Sequence, residues 1–160
     1  MNEEIIVGNN RFGIAQDAAY LHAVGLATMA FARLEWDAIR CCERLKPGYT
    51  SRIEQQRKTT STIATDLYCL FSLVSDAEVR TKIVPFAAEF SIIVIERNRL
   101  LHANVELASN GHQRLVWGRD EWTIDKVDIF SQRCVAAGIP LNALLYEELS
   151  GPCHVTRAQA

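Results

Sequence analysis

Phe86-Ala87-Ala88-Glu89-Phe90-Ser91-Ile92-Ile93-Val94-Ile95 is the most apolar run of the chain. It is too short to span a bilayer. Wound as a helix it is apolar on nearly every side, the pattern of a helix enclosed by several neighbours. A bundle follows, and the flanking sequence supplies the other helices. The central helix is predicted over about Asp76–Val105, kinked at Pro85 where a backbone donor is missing. Just upstream, Ser75 and Glu78 have the S-x-x-E spacing of a capping box, which predicts a tight turn out of the preceding helix.

That preceding helix is predicted from Ser51, with Glu54 completing a second capping box, to about Val74. Ile53, Thr60, Ile63, Leu67, Leu70 and Val74 form its inner stripe. Its middle, Thr59 to Thr62, is β-branched and hydroxyl-rich, so it depends on packing more than on propensity. The first helix is predicted from about Gly13 to Leu45. Tyr20, Val24, Ala27, Phe31, Leu34, Ala38, Cys42 and Leu45 face the core, with Arg33, Asp37, Arg40 and Arg44 opposite. Lys46-Pro47-Gly48 ends it. A last helix begins near Thr123, with Val127, Phe130, Cys134, Leu141, Leu144 and Leu145 inward, and Gly138 and Pro140 expected to bend or split it. Asn110-Gly111 marks a turn, and Gln113–Trp122 reads as a short strand, a hairpin arm or an ordered loop carrying Trp117 and Trp122. The expected fold is all-α: an antiparallel bundle of about four long helices forming one domain over residues 1–150, with a fraying tail from 151 to 160.

Composition agrees. At 160 residues, 49% apolar and 22% charged, the chain can bury one sizeable core. Eight glycines and four prolines are few, which favours helices over strands and turns. A net charge of −2 excludes a generally basic nucleic-acid surface. The N-terminus starts polar and acidic without a secretory pattern, and the five cysteines are odd in number with no C-x-x-C spacing. A reduced, cytoplasmic protein with no membrane association is expected.

Familiar chemistry is missing. No phosphate-binding glycine loop, no H-E-x-x-H and no paired E-x-x-H occurs, and His22, His102, His112 and His154 are scattered, so no metal or cofactor is expected. One polar stretch remains, Glu96-Arg97-Asn98-Arg99-Leu100-Leu101-His102, which continues the buried run. Arg97 falls on the arc of Phe86, Phe90 and Ile93, while Asn98 and His102 are one turn apart. A guanidinium cannot shed its proton, so on a core arc it requires a partner or a wet cleft. Glu35, on the apolar arc of the first helix, is the expected partner, and an Arg97–Glu35 bridge alone would make the pair structural.

Arg97-Asn98-x-x-x-His102 resembles the R-x4-6-H signature of the HEPN superfamily in its form with asparagine after the arginine. The resemblance implies a small helical bundle, often a metal-independent endoribonuclease of toxin–antitoxin or antiviral systems, acting as a homodimer whose two motifs face one cleft. It implies His102 as proton carrier, Arg97 as phosphate ligand and Asn98 as the group orienting them, with Glu35 supporting Arg97 and Arg99 contacting RNA. Arg52, Arg57 and Lys58 read as an ordinary solvated helix face. Where one subset paired with nucleotidyltransferase antitoxins has a tyrosine two residues after the histidine, this chain has Asn104, a departure from that pattern. Other superfamily members are non-catalytic. The second expectation is therefore a helical interaction module, such as a scaffold, antitoxin or immunity-type protein, that binds a protein partner in place of RNA.

Overall fold

The computed structural model describes residues 17–108 and 111–151. Helix α1 (Ala18–Leu45) starts where the Asp17 carboxylate accepts the Tyr20 N–H, then come α2 (Tyr49–Gln55), α3 (Thr60–Ser72) and α4 (Ala77–Leu101). Three strands follow, β1 (Asn104–Leu107), β2 (Gln113–Trp117) and β3 (Asp120–Glu121), and then α5 (Ile124–Leu144). The proposed start of the first helix before residue 17, the turn at residue 110 and the tail beyond 151 lie outside the described residues.

α1 packs against both α5 and α3, and α4 against α3 and α5. Their shared core is organised by aromatic rings. Phe31 stacks on Phe90 of α4 and on Phe130 of α5, each at 6.4 Å between centroids, and Trp122 meets Phe130 edge-on at 6.1 Å. Such offset and edge contacts suit the ring quadrupoles and add to the stabilisation from apolar burial. The predicted inner stripes of α1 and α5 are buried here, apart from a half-buried Val24.

Several expectations are corrected. The fold is mostly helical but not all-α: β1, β2 and β3 form a small antiparallel sheet in that order, so Asn104 and Val105 belong to a strand and α4 stops at Leu101. The Gln113–Trp122 segment resolves into hairpin strands joined at Gly118, whose φ of 67° suits glycine. The sheet is tied to the start of α1 by the Tyr20 hydroxyl, which accepts the Leu115 N–H at 3.0 Å. Arg114, buried, lies over the Tyr20 ring at 4.5 Å and donates to Asp17 at 2.6 Å.

The predicted second helix is two. Arg57 has a φ of 48°, which breaks the helical path, and Thr59 restarts it by accepting the Thr62 N–H. The break is closed by Asp66, which accepts from both Lys58 and the Tyr49 hydroxyl at 2.7 Å. The cap of α2 comes from the preceding helix: Glu43 accepts the N–H groups of Gly48 and Thr50, both at 2.7 Å, displacing the proposed Ser51–Glu54 box. The turn before α4 lies where expected, with Asp76 as the cap, accepting from Glu78 and Val79. α4 continues through Pro85, and α5 through Gly138 and Pro140. Gly138 faces α1: a Cβ there would stand at ordinary contact distances, 3.7 Å from Asp37 Oδ2 and 3.9 Å from Leu34. Asp37 is accordingly buried against α5, not on the solvated face predicted for it.

Candidate functional site

The last turn of α4 carries the motif. Residue 102 caps the helix, its N–H donating to the Asn98 carbonyl at 3.0 Å, and its imidazole is exposed. One turn back, Asn98 Oδ1 accepts from Arg97 Nη1 at 3.0 Å, so the amide fixes one arm of the guanidinium. The Asn98 Nδ2 reaches Ser61 Oγ of α3 at 3.4 Å, a long contact. Beneath, the Arg97 guanidinium lies 5.4 Å from the Phe31 ring centroid, where the negative face of the ring attracts it. The aromatic column of the core thus ends directly under Arg97.

Glu35 and Arg97 line the same cavity of about 90 Å³, together with Thr28, Ala32, Leu100 and Leu101. They do not form the expected bridge. The Glu35 Oε1 accepts the Thr60 hydroxyl at 2.6 Å, which holds it toward the start of α3, and Arg97 has no carboxylate within 4 Å among the described residues. Its Nε is buried without a hydrogen-bond partner. A half-buried guanidinium held by a ring and a neutral amide keeps its charge unneutralised. Arg97 and Glu35 thus share one opening, with Asn98 holding Arg97 and His102 one turn beyond Asn98.

Arg99 is placed elsewhere. It is exposed and borders a separate pocket of about 210 Å³ with Glu96, Trp122, Lys126 and Arg133. Two of the acidic residues of α4 are committed to Arg133 of α5, whose guanidinium donates to Glu89 at 2.7 Å and to Glu96 at 2.6 Å. Two contributors went unseen in the sequence, Thr60 and Ser61. The hydroxyl-rich Thr59–Thr62 run was their signal, since such residues open a helix and leave hydroxyls free at its first turn.

Other chemistry finds little support in the geometry. Cys41, Cys42 and Cys134 are buried, and burial pushes the Cys42 and Cys134 thiols up to about 12. Among the described residues no group of three or more metal-ligating side chains converges, and no helix is long and apolar enough to cross a membrane. No family model, curated protein or solved structure matches this chain.

Proposed function

We propose that the chain is a metal-independent endoribonuclease or RNA-binding protein of the HEPN kind, working as a homodimer in a toxin–antitoxin or defence setting. The observation that carries the reading is the guanidinium of Arg97, without a carboxylate partner among the described residues, on the same helix end as an exposed His102. The bridge to Glu35 that would have made Arg97 merely structural is not formed, which leaves its charge for an anion.

The roles follow from the chemistry. Arg97 grips a phosphodiester oxygen through the arm that Asn98 does not occupy and stabilises the charge that grows there. His102 takes the proton of the ribose 2′-hydroxyl or returns one to the leaving 5′-oxygen. Asn98 and Phe31 position the guanidinium, Glu35 acts through Thr60 on the mouth of the cavity, and Arg99 contacts RNA further along. The products are a 2′,3′-cyclic phosphate and a 5′-hydroxyl.

The test is cleavage of a mixed RNA pool in EDTA by the wild type, Arg97→Ala and His102→Ala, with circular dichroism confirming folding. Each substitution is expected to lower the rate by about 100-fold or more, the usual worth of a general acid–base group for His102 and of one group stabilising transition-state charge for Arg97. Undiminished cleavage by folded His102→Ala overturns the mechanism.

A second reading, a non-catalytic interaction module, is favoured by one observation. Val135 and Ile139 of α5 are exposed and line the groove between α1 and α5, and Leu26 and Met29 of α1 are exposed as well. It expects no RNA turnover and a stable complex with a protein partner.

A further inference from the structure

Among the described residues, the sheet order leaves the outer side of β1 unpaired, and all four residues of β1 are exposed. Which backbone groups face outward can be worked out from β2. Leu115 donates its N–H to the Tyr20 hydroxyl at 3.0 Å and accepts the Trp122 N–H at 2.8 Å, so both its groups point away from β1. Leu115 is the register partner of Val105. In an antiparallel ladder the two residues of such a pair both turn their backbone groups away from each other. Val105 therefore presents its N–H and C=O to the open side, and by alternation so does Leu107. Ala108, next in the alternation, points inward, and its N–H donates to His112 at 2.9 Å.

The side chains at that edge are as unusual as its backbone. Val105 is 59% exposed and Leu107 72%, and beside them Leu21 of α1 is 51% exposed. Val105 and Leu21 rim an apolar cavity of about 230 Å³. Open edges are normally blunted by charged side chains, proline or a bulge, and of these β1 has Glu106 alone.

We propose that β1 pairs antiparallel with β1 of a second copy of this chain, with Val105 on the two-fold axis. In that register Val105 exchanges both backbone bonds with its own counterpart, and Leu107 faces Ala103 of the other copy. Every outward group over this span then finds a partner, and the two three-stranded sheets become one. Charge selects the register. With Val105 on the axis Glu106 lies opposite Asn104, whereas a shift that centres Glu106 sets two carboxylates against each other. Leu21, Val105 and Leu107 of both copies are covered together. The pairing stands on the sheet alone, independent of any nuclease activity, and supplies the homodimer on which that reading relies. Because β1 begins two residues after His102, the two imidazoles lie within about 20 Å of each other along the joined strands.

The experiment is sedimentation of the full chain at micromolar concentration, with hydrogen exchange resolved at β1. Wild type is expected to sediment as a dimer with protected Val105 and Leu107 amides. Val105→Pro removes an N–H that the intramolecular ladder does not use, and Leu107→Lys charges the edge. Both are expected to be folded monomers. A wild-type monomer overturns the proposal, whether or not its β1 amides are protected. So does a dimer that survives both substitutions with Val105 exchanging freely. Loss of RNA cleavage in Arg97→Ala with the dimer intact, or the reverse in Val105→Pro, separates this proposal from the nuclease reading.

Discussion

Arg97 shows how a misplaced charge becomes informative. Its position on a core arc was legible from helical spacing alone, as were its neighbours Asn98 and His102, because all three belong to one helix. What holds it was not, since Phe31, Ser61 and Thr60 come from other elements and the expected Glu35 partner is captured by Thr60. Asp37 teaches the opposite lesson. It sits one turn from Arg33 and Arg40 and reads as solvated, yet α5 closes over it beside Gly138. Burial raises its carboxyl above the ordinary range, only partly offset by Arg40, at 3.8 Å, and Arg33. A folded-state value above the unfolded one means that stability from this group is complete below the unfolded value, about 3.9, and is lost as pH rises through the folded one. Asp37→Asn is therefore expected to melt higher than wild type at pH 7, with the difference vanishing near pH 4. Thermal unfolding of both proteins across that range checks this. A variant that melts lower at pH 7 contradicts it.

Among the elements, the long helices were readable because each repeats its apolar residues over many turns, and the short ones were not. The break between α2 and α3 rests on a single left-handed residue, Arg57, and on the Tyr49–Asp66–Lys58 cluster that closes it. A side chain in that conformation costs about 1 kcal/mol that glycine does not incur. Arg57→Gly is expected to stabilise the chain by roughly that amount in urea unfolding, whereas destabilisation means that the arginine side chain contributes something the backbone does not reveal. β1 escaped detection for a related reason. Asn104–Leu107 is only four residues long and follows α4 directly, so nothing in its own composition distinguishes strand from helix. Pairing with β2 decides it, and that is a tertiary fact.

For the whole molecule, a net charge of −2 still speaks against a broad nucleic-acid surface. It does not speak against a small site where one unpaired guanidinium stands at the end of an aromatic column. The bundle builds that column from α1, α4 and α5, and α3 contributes the hydroxyls at its mouth. The fold thus presents Arg97, Asn98 and His102 within about one and a half turns at the end of α4, the arrangement on which the proposed metal-free phosphodiester transfer rests. The most direct test is the end chemistry of a 5′-labelled single-stranded RNA incubated with the protein in EDTA. The wild type is predicted to leave a 2′,3′-cyclic phosphate and a 5′-hydroxyl, and His102→Ala to leave the RNA intact. Products ending in a 3′-hydroxyl, equal cleavage by His102→Ala, or RNA untouched by the wild type would contradict the account.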